Sequence, residues 1–209
     1  LMDEHASAKG RALDLGCAVG RTTFDLSRTF SKVTGLDFSQ AFIDAANVLK
    51  SNGRLDYQRL ETGQFSTPMV ASVADEIDRD KIDFVVGDAM DLADIPALAE
   101  NGPYDAILLS NLMCRLTTPA ACLTQFTADD TYIGKGGILV FASPNTWMEQ
   151  YTDPDLFLDG GSSEETLAKL GSLLPGFTRM HEEDLPFMIR EHRRKYEYIV
   201  SQVSVWRKD

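Results

Sequence analysis

At 209 residues the chain is long enough for one domain with a sizeable apolar core, and its 44% hydrophobic and 25% charged residues are those of an ordinary globular protein. No window approaches the roughly 18 uninterrupted apolar residues of a membrane span, and residues 1–10 lack the apolar segment of a secretory signal, so no membrane partner and a cytoplasmic location are expected. A net charge of −12 opposes a phosphate backbone and favours a small-molecule partner over nucleic acid, while three cysteines (Cys17, Cys114, Cys122) without a C-x-x-C pair argue against a disulfide framework and a zinc site.

Strand-length apolar runs alternate with segments of helical period, the pattern of parallel βαβ units in an α/β fold. Arg11–Leu15 reads as the first strand, followed after a glycine-bearing turn by a helix from about Arg21 that includes Phe24 and Leu26. Residues 33–36 read as the second strand. Ser39 then caps a helix through Phe42, Ile43, Ala46 and Leu49, and Asn52-Gly53 stops it. Residues 54–81 make an overlong connection in which Tyr57, Leu60, Phe65 and Val70 are spaced as short extended pieces, and such connections are often lids or binding loops. Ile82–Val86, 106–110 and 138–142 are three further buried strands, and 144–162 is a second long connection. Residues 196–206 alternate with the period of two of an antiparallel strand, and 177–185 can pair with them as a hairpin. The expected fold is one α/β domain: a seven-stranded, mostly parallel sheet with its last strand antiparallel and helices on both faces.

Ligands of open α/β sheets collect beyond the carboxyl ends of the strands. There, Asp14, Gly16, Cys17, Ala18 and Gly20 form a tight turn whose glycines admit a ligand close to the backbone, and whose helix-end amides favour a carboxylate. Asp37 ends the second strand, where it can accept from both hydroxyls of a ribose, with Phe38 beside it to cover an adenine. After the third strand, Asp88 can accept from the adenine amino group while Ala89 and Met90 pack on the ring, and Asn111 ends the fourth strand facing the rest of the ligand. A lone G-x-x-x-G is equally a ligand-free strand-to-helix turn, but an acid 17 residues after Gly20 and Gly87-Asp88 after the next strand follow in the right order for a ligand site. A nicotinamide dinucleotide would also suit Asp37, yet the loop lacks the G-x-G-x-x-G that accommodates a pyrophosphate.

The stretch Arg11-Ala-Leu-Asp-Leu-Gly-Cys-Ala-Val-Gly-Arg21 resembles motif I of class I S-adenosylmethionine-dependent methyltransferases. That resemblance implies a Rossmann-like fold, S-adenosyl-L-methionine as cofactor and S-adenosyl-L-homocysteine as product. Ser143-Pro-Asn-Thr-Trp147-Met-Glu149, Leu158-Asp-Gly-Gly161, Asp184-Leu-Pro-Phe-Met-Ile-Arg190-Glu-His-Arg193-Arg-Lys195 and Val203-Ser-Val-Trp206-Arg are similar to the 4-mercaptohistidine N-methyltransferases of ovothiol biosynthesis, a likeness that covers nearly the whole chain. It implies methyl transfer to an imidazole nitrogen of a thiol-bearing histidine. In that family the domain often forms the C-terminal part of a larger protein whose other part makes the histidine–cysteine sulfoxide, so a fused or associated sulfoxide synthase is the implied partner. About ten residues precede the first strand, so a donor-covering helix or a preceding domain is expected upstream. Two positions depart from the pattern: Ala18 replaces a common middle glycine, and Met113-Cys114 replaces a more acidic stretch.

With 177–185 and 196–206 as strands, the connection 186–195 falls on the same carboxyl edge as the donor loop. Arg190, Arg193 and Lys195 are then candidates to hold the carboxylate of an amino-acid-like substrate, arginine best through its bidentate fork, against the alternative of a solvated hairpin tip. Trp147 can stack on an imidazole or simply pack in the core, and Tyr57 is a candidate lid contact. Methyl transfer is an in-line displacement that depends mainly on alignment, and a neutral imidazole is a competent nucleophile near pH 7 once one nitrogen's lone pair is free. Glu149 or Tyr151 could set that tautomer by accepting from the other nitrogen. His5, His181 and His192 are not spaced as metal ligands, so no metal is expected. The competing functions are a methyltransferase for another small molecule and a non-catalytic module that keeps the donor fold.

Overall fold

A computed structural model describes all 209 residues. In chain order the elements are α1 (Met2–His5), β1 (Arg11–Leu15), α2 (Arg21–Leu26), β2 (Lys32–Asp37), α3 (Gln40–Asn52), β3 (Arg54–Thr62), β4 (Phe65–Ser72), β5 (Ile82–Val86), α4 (Pro96–Glu100), β6 (Tyr104–Ser110), α5 (Pro119–Thr127), β7 (Ile133–Ser143), α6 (Ser163–Ser172), β8 (Phe177–His192) and β9 (Lys195–Lys208). Seven strands form one sheet in the order β5-β2-β1-β6-β7-β9-β8, and β3 and β4 pair separately. Within the sheet β9 runs against both neighbours while the other six share one direction, which is the arrangement expected from the sequence. The winding reverses between β1 and β6, which opens a crevice at the carboxyl ends of the strands.

Local sequence accounts for each element. Ala106-Ile-Leu-Leu109 is apolar on both sides because helices cover both faces of the central strands, and all four residues are buried. In α3, Ile43, Ala46 and Leu49 fall on one face and are buried; the Ser39 hydroxyl accepts from the Phe42 amide at 3.4 Å, and Gly53 ends the helix in the left-handed conformation (φ 73°). On one face of the sheet, Leu98 of α4, Leu123 and Phe126 of α5, and Leu167 and Leu170 of α6 pack with Leu13, Leu15, Ile107, Leu109 and Leu139. On the other face, Met2 of α1 lies with Ala12, Val33, Ala106 and Val140, and Phe24 and Leu49 lie with Ile82. Each fully buried Leu, Ile or Phe contributes about 1.5–3 kcal/mol. One charged group sits inside this framework: Asp14 on β1 is 2% exposed and accepts from the Thr23 hydroxyl of α2 at 2.7 Å. Burial pushes its carboxyl up to about 6, against the pull of the Thr23 hydrogen bond.

Two regions depart from the sequence expectation. The overlong connection becomes a regular hairpin, β3–β4, registered from Arg54↔Ser72 to Thr62↔Phe65. The other departure is larger, because 186–195 is not a connecting loop at all. β7 pairs with β9 from Ile138↔Arg207 to Ser143↔Gln202 only, whereas the β8–β9 ladder continues from Leu185↔Ser201 to His192↔Lys195. At about 3.3 Å per residue, this two-stranded ribbon stands roughly 20 Å beyond the carboxyl edge. Its turn meets the other hairpin. The Arg193 amide donates to Glu61 Oε2 at 2.9 Å, and Arg59 donates to Glu61 Oε1 through Nε (2.8 Å) and Nη2 (2.5 Å), leaving Glu61 8% exposed.

Two outcomes follow from these contacts. The Arg193 amide, and then Arg59, hold the Glu61 carboxyl below its ordinary range, so the clasp between the arms persists above that range and opens as the pH falls through the lowered value. Glu61→Ala should speed amide exchange across 190–196 by about tenfold, the worth of one charge-assisted hydrogen bond, read by hydrogen–deuterium exchange. Asp14 has the opposite sign: its folded carboxyl titrates above the ordinary 3.8, so its stabilising share is full below about pH 4 and is lost as the pH rises to about 6. Asp14→Asn should therefore gain on the parent chain by about 3 kcal/mol between pH 4 and 6 and by nothing further above, as measured by urea denaturation at a series of pH values.

Candidate functional site

A cavity of about 620 Å³ opens at the carboxyl ends of β1, β2, β5 and β6, lined by Gly16, Leu36, Asp37, Phe38, Gly87, Asp88, Ala89, Met90, Leu112, Arg115, Leu116, Thr117 and Tyr151. Of the residues expected to bind a cofactor, Gly16, Asp37, Phe38, Asp88, Ala89 and Met90 meet here. The turn after β1 is fixed by β2. The Leu36 carbonyl accepts from the Gly16 and Cys17 amides at 2.8 and 2.9 Å, and Asp37 Oδ2 accepts from the Ala18 amide at 2.8 Å. Asp37 Oδ1 takes the Ser39 amide at 2.9 Å, so the carboxylate also fixes the start of α3. A carboxylate has about four lone-pair sites, which leaves one on each oxygen for a ligand. Asp88 is arranged similarly: Oδ1 accepts from the Met90 amide at 2.8 Å and Oδ2 has no partner in the chain. Phe38, on the cavity wall, is 77% exposed, an apolar ring that a flat ligand would cover.

Other expected donor residues act behind the wall. Asp14 does not line the cavity; its carboxylate faces Thr23 and ties β1 to α2. The Cys17 side chain is buried, and burial followed by Asp14 and Asp37 raises its thiol, so it is an inert spacer. Ala18 contributes its amide to Asp37, and Gly20 donates its amide to the Cys17 carbonyl at 2.8 Å while holding φ 87°. Hence the amides of Gly16, Cys17, Ala18 and Gly20 are all spent within the chain, while that of Val19 and those at the start of α2 are not. Asn111 stands at the end of β6 outside the cavity lining, where its Oδ1 accepts from the Ser201 hydroxyl at 3.2 Å.

Ala18, Asn111 and Asn145 are the non-glycine residues with positive φ (48°, 55° and 53°), and they follow β1, β6 and β7 respectively. Backbone strain is thus confined to the carboxyl edge, where functional sites concentrate it. Asn145 is anchored by its Nδ2, which donates to Gln202 Oε1 at 3.0 Å. Together the Asn111–Ser201 and Asn145–Gln202 pairs tie β9 to the loops after β6 and β7.

The expected acceptor residues are dispersed. Tyr151 lines the cavity, with the Arg115 guanidinium 5.3 Å from its ring centroid. Arg115, not singled out in the sequence, donates from Nη1 to the Cys114 and Thr146 carbonyls at 2.9 and 2.8 Å, which holds the turn after β6 to the loop after β7. Only the Met113-Cys114 departure pointed to this neighbourhood. Glu149 is exposed and outside the cavity. Trp147 stacks on Phe157 (centroids 5.3 Å apart) and packs against the core, with its indole N–H buried and unpartnered beside a void of about 30 Å³. Tyr57 lies on β3 away from the cavity. Arg190, Arg193 and Lys195 belong to the ribbon and its turn, and none reaches the cavity: Arg190 rests on the Tyr196 ring at 5.7 Å and Lys195 pairs with Glu191 at 2.7 Å. No cluster of three or more His, Cys, Asp or Glu side chains could hold a metal ion, and no helix is long and apolar enough to cross a membrane.

The profile of the family described as a methyltransferase domain matches residues 13–129, which takes in the turn after β1, both cavity acids and Arg115. No curated protein matches the chain. Solved structures that share the fold include a S-adenosylmethionine-dependent methyltransferase of Methanosarcina mazei (TM-score 0.61, 14% identity, 98% of this chain and 95% of that one). Another is the N-methyltransferase NodS of Bradyrhizobium japonicum in complex with S-adenosyl-L-homocysteine (TM-score 0.56, 14% identity, 95% and 78%). A third was solved for the conversion of a disulfide bond into a thioacetal group during echinomycin biosynthesis (TM-score 0.64, 17% identity, 100% and 79%). Sheet order, a carboxyl-edge cavity with an acid on each of two adjacent strand ends, and a family match over more than half the length lead to one assignment: the chain belongs to the methyltransferase domain family, as a class I, S-adenosylmethionine-dependent member.

Proposed function

We propose that the carboxyl-edge cavity holds S-adenosylmethionine and that the methyl group passes to an imidazole nitrogen of 4-mercaptohistidine, giving ovothiol. The donor half rests on Asp37, whose two remaining lone-pair sites face the cavity beside Gly16 and Phe38 and suit the paired hydroxyls of a ribose. Phe38 and Met90 offer apolar surfaces to the adenine, and the free Oδ2 of Asp88 accepts from its amino group. With four of the loop amides spent, the donor carboxylate is left to the amides of Val19 and the start of α2. The bound sulfonium supplies an already activated methyl group, so the chain's task is alignment, a term worth up to about 7–11 kcal/mol.

The acceptor half rests on the resemblance of the segments around Trp147, 158–161 and 184–195 to 4-mercaptohistidine N-methyltransferases. Within it Tyr151, held against Arg115, accepts from one imidazole nitrogen and so leaves the other nitrogen's lone pair free for attack. Glu149, in the same turn, is the alternative acceptor. Tyr57, Arg190, Arg193 and Lys195 stand outside the cavity and Trp147 packs against the core beside it, so none of the five is assigned a contact with the bound acceptor. An attached or associated sulfoxide synthase would supply the sulfurised precursor to this single domain. Transfer to another small molecule is the second reading; the position of Glu149 outside the cavity favours it, because fewer groups are then committed to an imidazole.

Asp37→Ala should raise the Kd for S-adenosylmethionine by at least about 100-fold in calorimetry while leaving the fold intact by circular dichroism, since two charge-assisted hydrogen bonds are lost. An unchanged Kd would remove the donor assignment. Methylation should proceed with 4-mercaptohistidine and not with histidine or histidylcysteine sulfoxide; no turnover on 4-mercaptohistidine with donor binding intact would sink the acceptor reading alone.

A further inference from the structure

The ribbon beyond the carboxyl edge presents apolar side chains to solvent. Its register places Pro186 opposite Val200, Met188 opposite Tyr198 and Arg190 opposite Tyr196, so these six share one face. Met188 is 64% exposed and Tyr198 71%, and Tyr196 and Val200 are exposed as well. A lone two-stranded ribbon is marginal in water, and a contiguous exposed apolar patch on a protein this acidic marks a contact surface.

The order of charges along β8 says what kind of surface covers it. Glu182-Glu183-Asp184 is acidic, 185–189 (Leu-Pro-Phe-Met-Ile) is apolar, and Arg190 to Lys195 is basic apart from Glu191. Such a strip is complementary to itself reversed. About a two-fold axis at Phe187, Asp184 falls opposite Arg190, and Pro186 opposite Met188, all on the exposed face. Neither Asp184 nor Arg190 has an ion-pair partner within the chain; Arg190 only rests on the Tyr196 ring. A surface of one charge sign would not match both ends. Edge-to-edge pairing of β8 with another strand is opposed by Pro186, which removes an N–H at the centre of the strip, so contact through the face is the remaining mode.

We propose that the face bearing Pro186, Met188, Arg190, Tyr196, Tyr198 and Val200 is an isologous interface with a second copy of this chain, the ribbons crossing antiparallel so that Asp184 meets the partner's Arg190. The crossing carries the basic turn of each chain toward the carboxyl edge of the other. Sedimentation equilibrium of the full chain should give twice its 23.1 kDa mass. Asp184→Arg and Arg190→Asp should each weaken the dimer at least about tenfold, and the double variant, which restores opposite charges, should recover it. Met188→Lys should give monomers whose circular dichroism spectrum matches that of the parent chain. A monomeric parent chain, a dimer indifferent to Met188→Lys, or a double variant no better than the singles would overturn the proposal and leave the face to another occupant.

Discussion

The carboxylate of Asp37 is the contact on which the site depends. Through one oxygen it fixes the turn after β1, through the other it fixes the start of α3, and both are single hydrogen bonds of 2.8–2.9 Å to backbone amides. The Leu36 carbonyl secures the same turn from the preceding residue. As a result the first two strand ends behave as one rigid corner, and the cavity wall that includes Gly16, Asp37 and Phe38 is preorganised before any ligand arrives. The buried Asp14 supports this corner from beneath by linking β1 to α2 through Thr23. A charged group there is costly, and the elevated carboxyl is the trace of that cost.

Much of this was legible in the sequence because it rests on local rules. The run Ala106–Leu109 in β6 is apolar on both sides, a pattern that doubly covered strands produce, and α3 shows its cap, its apolar face and its glycine stop within 39–53. The mostly parallel seven-stranded sheet and the antiparallel β9 followed from the alternation of elements and from the period of two near the C-terminus, whereas the order of the strands comes from the structure. The roles of individual loop residues did not follow in the same way. Cys17 and Ala18 sit in the right turn, but whether an amide faces a ligand or a neighbouring carboxylate is decided by β2, a strand distant in sequence. Ala18 adopts a left-handed backbone where glycine would be unstrained, and this could be suspected from the departure at that position but not established.

The acceptor side was less legible for a different reason. The sequence places a connection at 186–195 between strands 177–185 and 196–206, yet Pro is tolerated on an edge strand, and β8 continues through Pro186 to His192. That single continuation moves Arg190, Arg193 and Lys195 away from the cavity and onto a projecting ribbon. Arg115 was overlooked because nothing in its immediate sequence marks it; its importance comes from the loop after β7, whose Thr146 carbonyl and Tyr151 ring it contacts.

The construction of β9 has a mechanical consequence. Val203, Val205 and Trp206 are clamped in the core, and the same unbroken strand carries Tyr196 and Tyr198 into solvent, with no joint between them. The ribbon is therefore a cantilever and not a flap: it can flex along its length but cannot swing without unzipping β9 from β7. Its root lies at Ser201 and Gln202, which hold Asn111 and Asn145, two of the strained residues of the carboxyl edge. Any load placed on the outer ribbon is delivered as torque to the loops that border the reacting groups.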